Sequence, residues 1–473
     1  MLALAYTVLL ESNPFIQSLF ANDGRLQIEG ILIQELELQT LPNTYCVGTA
    51  SAAQNQPPVD VLVIGAGIVG LSIAWRLKLS QPNLSIMVIE KTGLGAGPSR
   101  GNAGAFAFSD IEPLASPGLL RKAPRWLLDP TGPLALRPAY LPKIVPWLWQ
   151  FHQACSPDRV AASTAAQVAL NRLSARLTPT MLESLSLSHH WHRDGNLHLY
   201  ETLAQWQRSQ RGWQTRTEHG IEHLHLQGAQ AIAQIQPGLT ACFSDAVFVP
   251  QWATINDPMQ LVLQLAQQLQ QRQVPIYRAC AQSIQNGAGK VRVYLKNGQA
   301  LESKQVVVAA GAWSHQLAQT LGERIPLETE RGYNTSLPSG AFDLKCQLTF
   351  PEHGFVMTRI AGGVRIGGAV EFAGLEAKPN FARSTALLNK AKRFVPTLKV
   401  DAGEPWMGCR PSLPDSLPAI GRAKADSRVV YAFGHGHLGL TQSAATAQLV
   451  MELVMGLASS IDIGPYSPQR FAK

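Results

Sequence analysis

The chain has 473 residues, 46% of them hydrophobic and only 15% charged, which excludes a disordered protein and leaves room for two domains. Forty Lys and Arg face 32 acidic residues, a formal charge of +8. No dense basic run or Cys/His finger spacing accompanies that excess, so it is read as diffuse surface charge without a nucleic-acid role.

Six scattered cysteines with no C-x-x-C pair argue against a disulfide framework or structural zinc and point to a reducing, cytoplasmic setting. No uninterrupted apolar run reaches the roughly 18 residues of a membrane span. The opening MLALAYTVLLESN lacks a basic flank and meets Glu11 at once, so it is not expected to be a signal peptide. Residues 1–58 carry no motif. Within them, 26–39 reads as a strand or short helix, and Thr49–Pro58 as a linker. Regular architecture is expected from Val59. VDVLVIG (59–65) has the apolar run of a parallel strand covered on both faces. It enters glycines and then IVGLSIAWRLKLS, where Val69, Ile73 and Leu77 recur at helical spacing. LSIMVIE (84–90) completes a βαβ unit.

Segment 113–146 holds eight prolines and is expected to contain no long helix; it ends in PWLWQF (146–151). Residues 158–188 read as helical and 189–252 as mixed strand and loop. Asp257–Pro258 has the pattern of an N-cap followed by proline at the first helical position, with Leu261, Leu265 and Leu269 on one helix face. Strands are expected near 274–284 and 290–295, joined onward by Asn297–Gly298, a type I′ hairpin pattern. QVVVAAGAW (305–313) reads as a buried strand. Segment 325–404 reads as mostly antiparallel sheet with a helix around 380–394, and 442–456 as a helix closed by Gly456.

The strongest local pattern is Gly65-Ala66-Gly67-Ile68-Val69-Gly70. The first glycine suits a tight strand-to-helix turn, the second close approach to a pyrophosphate, and the third close packing of helix on sheet. Unpaired N–H groups at the helix entrance favour an anion. Glu90, 20 residues after Gly70 and followed by Lys91, is placed to accept from ribose hydroxyls. The pattern predicts an adenine dinucleotide and does not choose between NAD and FAD.

Further stretches bear on that choice: GNAG (101–104) with LASPG (114–118), VVVAAGAWS (306–314), RGYN (331–334), GVRIGGAVEF (363–372), GCRPSLPDSLPAIGR (408–422) and YAFGHGHLGLTQSAATAQLV (431–450). With VLVIGAGIVGLSIAWRL (61–77) they make the chain resemble the FAD-dependent D-amino acid dehydrogenase small-subunit family. That family lies within the D-amino acid oxidase/glycine oxidase superfamily, and the resemblance spans 59 to about 456. It implies an α/β fold with two parts. One is an FAD-binding Rossmann-type (glutathione-reductase-like) domain from 59–112, 253–317 and 405–458. The other is a discontinuous, mainly antiparallel β-sheet substrate-binding domain from 113–252 and 318–404. An N-terminal extension (1–58) and a C-terminal tail (459–473) flank them.

The resemblance also implies residue roles. Gly65, Ala66, Gly67, Ile68, Val69, Gly70, Glu90 and Lys91 would hold the ADP half of FAD, with Ala281 near the adenine. Ser99, Asn102, Ala103 and Gly104 would line the flavin edge, Ala310 and Gly311 would pass near the pyrophosphate, and Trp313 would also contact the cofactor. Gly436, His437, Leu438, Gly439, Leu440 and Thr441 join this cofactor set, the last two facing the flavin C2=O end. Arg410, in Gly-x-Arg-Pro, matches an arginine that clamps the substrate carboxylate; a planar guanidinium suits bidentate capture. His353 stands where the dehydrogenase branch often has tyrosine; it is either a substrate contact or an ordinary loop histidine. His435 and His437 tune the flavin, take a proton, or pack beside the cofactor. Tyr333 and Arg331 line the roof of the site or are plain sheet residues. Cys409 is one residue from the position where relatives attach flavin covalently, so FAD is expected to be noncovalent.

The implied reaction is oxidative deamination of a D-amino acid, or similar small amino acid, to a 2-oxo acid and ammonia by hydride transfer from Cα to flavin N5. It demands a neutral amine and good orientation more than a protein base. Electrons then pass to a quinone or to oxygen. The alternatives are an oxygen-using oxidase of glycine, sarcosine, D-proline or hydroxyproline, and a nonenzymatic FAD-binding partner subunit. HHWH (189–192) and HLH (223–225) lack metal-site spacing, so no metal is expected and these histidines read as surface residues. Trp126, Trp147 and Trp149 touch a membrane interface or partner, cap the cavity, or simply pack. Peripheral contact with the inner face of the cytoplasmic membrane is therefore part of the expectation.

Overall fold

The computed structural model describes residues 48–49, 53, 57–116, 126–127, 129 and 132–472; the expected element at 26–39 lies outside them. Val59–Ile64 and Ala300–Val308 run parallel through the middle of a nine-stranded sheet. Beyond Val59–Ile64 come Ile86–Glu90, Ile276–Arg278 and the short Gly48–Thr49, each parallel to its neighbour. The supposed linker thus begins inside an edge strand, because its backbone completes the hydrogen bonding of Tyr277 and Arg278. Alternation along Val59–Ile64 divides the core. Val61 and Val63 face the helices Ile68–Ser80, Pro157–Ser184, Pro258–Gln271 and Ser443–Met455, whereas Leu62 and Ile64 face the opposite cluster with Leu317 and Tyr431. Asp257 caps its helix by accepting from Met259 N at 2.8 Å, and Gly456 closes the last helix at φ 68°.

Ala300–Val308 pairs on its outer edge with two strands. Ala300–Ser303 meets Val291–Leu295 in antiparallel register, and Val306–Val308 meets Val429–Phe433 in parallel. The hairpin at Asn297–Gly298 is real but is not type I′. Only Gly298 has positive φ (84°), and its N–H donates to Leu295 O at 3.0 Å. That is a tight turn followed by a left-handed glycine, the form a three-residue connection takes.

A second nine-stranded sheet follows the order Glu404–Ser412, Glu328–Leu337, Gly363–Phe372, Phe355–Ile360, Gln347–Phe350, Asn196–Tyr200, Asp245–Val249, Leu224–Gln227, with Leu134–Leu136 also beside Gly363–Phe372. It is antiparallel except at Gln347–Phe350 on Asn196–Tyr200 and at Leu134–Leu136. Glu404–Ser412 is paired along its length with Glu328–Leu337, so the expected domain boundary at 405 cuts through this sheet. A small sheet of Ala105–Phe106, Ala253–Ile255 and Trp191–His192 lies between.

Two regions depart from expectation. The helix Leu141–Ala154 runs into the proline-rich segment: Pro142 occupies the first turn, where an N–H has no partner to lose, and Pro146 stands inside the helix at the loss of one backbone hydrogen bond. Within 189–252 stand the helices Leu203–Glu218 and Gly228–Ile235. Leu203–Glu218 buries only Trp206 and Trp213, too few apolar positions to show a stripe. The C-terminal tail is anchored: Tyr466 is fully buried and donates to Ala166 O at 2.6 Å, while Arg470 pairs with Asp415.

Candidate active site

At the glycine turn, Gly65 adopts φ 113°, and a Cβ there would run into Ala309 O. A Cβ on Gly70 would strike Gly65 O, and one on Gly67 would crowd Ser99 Oγ at 3.2 Å. Side chains at these positions would therefore fill the turn itself. The helix Ile68–Ser80 has no side-chain cap; Ser99 Oγ accepts from Ile68 N at 2.9 Å, placing Ser99 at the helix entrance. Glu90 Oε2 accepts from Ala66 N at 2.9 Å, and its Oε1 accepts from Thr92 N at 3.0 Å. Lys91 Nζ lies 3.0 Å from the Trp313 ring centroid. Burial holds this ammonium below the usual lysine range, with Glu90 opposing the shift.

This turn opens onto a cavity of about 1020 Å³ that reaches the second sheet. Of the expected cofactor residues, Gly65, Gly67, Ile68, Val69, Glu90, Lys91, Ser99, Asn102, Ala103, Ala281, Ala310, Gly311, Trp313, Gly436, His437, Gly439 and Leu440 border it. Ala66, Gly70, Gly104, Leu438 and Thr441 stand behind the wall. Gly104 has φ 65° and donates to Asn102 Oδ1 at 2.7 Å. Thr441 Oγ1 accepts from Ala107 N at 3.0 Å, and Leu438 packs with Ala107 and Trp252.

The loop bordering the cavity at 98–104 is fastened to the second sheet. Asn334 Nδ2 donates to Gly101 O at 2.6 Å, and Arg365 Nη1 donates to Asn102 O at 2.6 Å. Trp406 lies against Gly101 and Gly408, where any Cβ would overlap its ring.

Arg410 borders the cavity from Glu404–Ser412. A Cβ on Gly332 would occupy the place of its guanidinium, so the side chain lies across Gly332. It donates no hydrogen bond to any described residue. Burial pushes the guanidinium down from its ordinary value, and the Glu330 charge opposes this.

The remaining catalytic candidates separate. His437 borders the cavity with Nε2 3.0 Å from Asp110 Oδ2. Burial alone would raise the Asp110 carboxyl, but His437 and Arg216 hold it below the usual range. Tyr333 borders the cavity, yet its hydroxyl donates to Glu371 Oε2 and accepts from Asn380 N at 3.0 Å. Arg331 is fully buried and 3.2 Å from the same Glu371 oxygen, so it lines no roof. His353 is not among the cavity residues. Its Nε2 lies 2.7 Å from Glu201 and its ring packs on Phe394, a correction to the expected substrate contact. His225 is likewise not free on the surface: it lies 2.8 Å from Asp245 and stacks on Trp206. Among the described residues no group of three His, Cys, Asp or Glu is arranged for a metal.

The far wall is made of residues the sequence left unmarked: His198, Trp213, Arg216, Val249, Trp252, Gln347, Thr349 and Phe350. Trp252 Nε1 donates to Gln347 Oε1 at 3.1 Å, and Trp213 Nε1 to Tyr200 OH at 2.8 Å. Burial pushes the His198 imidazole down to about 3, so it is neutral. Trp406 and Gly408 share the strand face of Arg410 by alternation, while Gly332 joins them only through its register opposite Gly408. The far wall has no such local pattern.

The family model described as FAD dependent oxidoreductase matches residues 60–453. The chain belongs to this family. Among relatives, a D-amino-acid oxidase of Bradyrhizobium diazoefficiens is 33% identical over 416 residues, covering 87% of this chain and 98% of that protein. A D-amino acid dehydrogenase of Paramagnetospirillum magneticum is 28% identical over 421 residues, covering 87% and 99%. The fold is similar to that of glycine oxidase from Geobacillus kaustophilus, with a TM-score of 0.69, 19% identity and coverage of 88% and 100%. The protein is thus an FAD-dependent oxidoreductase of α/β fold, as the resemblance implied. The glycine turn at the helix entrance and the cavity of about 1020 Å³ it opens onto fit FAD. Cys409 neighbours Arg410 on the strand, so its side chain leaves the opposite face, buried near Thr329 and Arg331. Cys409 therefore does not face the cavity.

Proposed function

We propose that this oxidoreductase deaminates a D-amino acid, or a similar small amino acid, to the 2-oxo acid and ammonia. The names of the relatives support an amino-acid substrate. The observation that carries the reading is Arg410: a guanidinium on the cavity wall, laid across Gly332, with its donors left for a ligand. Its planar fork takes the substrate carboxylate bidentately and thereby fixes Cα. FAD, when bound, supplies the acceptor for the hydride that leaves Cα. Trp406 and the 101–104 loop, tied by Asn334 and Arg365, hold the wall between cofactor and clamp. Trp213, Trp252 and Phe350 close the far side and suit the substrate side chain.

The electron acceptor is a quinone or oxygen. Quinone use is supported by an exposed apolar stripe on Leu141–Ala154, where Leu141, Val145 and Trp149 follow at helical spacing, Trp149 being 62% exposed. This stripe would meet a membrane surface; Trp147 instead is buried on Phe151 and Phe372. Among the described residues no helix is long and apolar enough to cross a membrane. The test is anaerobic addition of D- and L-amino acids to the yellow protein. Bleaching by a D-amino acid is expected, and slow recolouration in air, hastened by a soluble quinone, marks a dehydrogenase. No bleaching with any amino acid or small amine overturns the reading.

A further inference from the structure

Among the described residues three carboxylates border the cavity, and two are satisfied locally. Glu90 accepts from Ala66 and Thr92; Asp110 pairs with His437 and lies 3.6 Å from Arg216. Glu330 is the exception. It is 6% exposed, and no described residue donates a hydrogen bond to its carboxylate. It stands directly across from Arg410 in antiparallel register, so both side chains leave the same sheet face.

The groups facing Glu330 are few. Arg410 is the fixed cation. Glu328, on its own strand, is a carboxyl pushed up by burial, to which the Glu330 charge adds. His435, His437 and Glu112 share with Glu330 a small recess beside the cavity, where Leu141–Ala154 contributes only Trp147 and Phe151. Burial pushes His435 down to about 3, so it brings no charge.

A substrate carboxylate arriving on Arg410 would bring a second negative charge into the field of the guanidinium, which already feels the Glu330 charge from across the strand pair. Like charges so placed do not both stay ionised. The incoming group is held bidentately by the fork, whereas Glu330 has no donor to stabilise its charge.

We propose that Glu330 is a proton-coupled counter-ion of the clamp: ionised it balances Arg410 in the resting enzyme, and it takes up a proton when a carboxylate binds there. The inference rests on the proposed clamp role of Arg410. An α-amino acid brings the proton itself. The ammonium N–H bond breaks, the electron pair stays on nitrogen, and the proton forms an O–H bond on Glu330, leaving the neutral amine that hydride loss from Cα requires. An acid without an amine draws the proton from water.

The experiment is calorimetric titration of the FAD-loaded full chain with propanoate, in buffers of different ionisation heat. Expected are close to one proton taken up per propanoate near pH 8 and an affinity that falls about tenfold per unit of rising pH. Glu330→Gln, with its flavin spectrum intact, should bind propanoate without proton uptake, independently of pH, and more tightly than wild type in alkali. Binding to wild type without proton uptake overturns the proposal alone. So does weaker binding by Glu330→Gln at every pH, which a merely structural carboxylate would give. A wild type that binds no propanoate overturns the clamp assignment and the proposal with it.

Discussion

The two ends of the cavity are built differently. The cofactor end is built around one contiguous piece of chain, Val59 to Glu90, in which strand, glycine turn, helix and second strand follow within a single βαβ unit, with Ser99, Ala281, Ala310 and Gly436 added around it. The end proposed for the substrate draws on Glu328–Leu337, Glu404–Ser412, Asn196–Tyr200, Gln347–Phe350 and the Leu203–Glu218 helix. A site of the first kind depends on short-range backbone geometry. One of the second kind depends on sheet register, and damage should be correspondingly graded.

The largest effect is expected at the turn. Gly65→Val puts a side chain into Ala309 O at a positive φ, and purified protein should carry no flavin absorbance. Arg410→Ala should keep its yellow colour yet lose a charged contact of about 3 kcal/mol, more than a hundredfold in kcat/KM. Retained activity would remove the substrate end from Arg410 altogether. Gly332→Ala sharpens the same contrast, because the added methyl displaces the guanidinium without touching the glycine turn. KM should rise about tenfold, a loss near 1.4 kcal/mol, with flavin content unchanged.

Acid stability separates the ends more gently. His198 and His435 are held neutral by burial, with folded values of about 3, below the ordinary imidazole value of about 6.5. Their unfolded forms bind the extra proton, so stability is full above that ordinary value and declines as pH falls from there toward about 3. Tm should drop by this route between about pH 7 and 5, and His198→Gln should flatten the slope. The smallest effect is expected for His353→Ala. Its contact with Glu201 lies away from the cavity, so turnover should stay within about twofold and stability fall by less than about 1 kcal/mol.

What the sequence revealed follows the same division. Gly65, Gly67, Gly70 and Glu90 announce themselves because the constraint and the residues meeting it are neighbours. Arg410 was legible through its surrounding motif. Glu330, Trp406 and Gly332 acquire meaning only in the register of Glu328–Leu337 against Glu404–Ser412, and His198 or Trp252 only once distant strands converge. His353 was misplaced because its loop precedes a strand, Phe355–Ile360, that borders the cavity, while its own ring turns the other way toward Phe394. The helix at 203–218 escaped because its polar faces mask two tryptophans.

Two hydrogen bonds, from Asn334 to Gly101 and from Arg365 to Asn102, weld the wall that carries the arginine to the loop beside the glycine turn. On the proposed reading, hydride acceptor and acid anchor are therefore set at a fixed spacing, as in a jig. The strands bearing His198, Val249 and Thr349 lie outside that weld. Evolution can reshape them to admit bulkier or smaller side groups while the reacting carbon is presented at an unaltered distance.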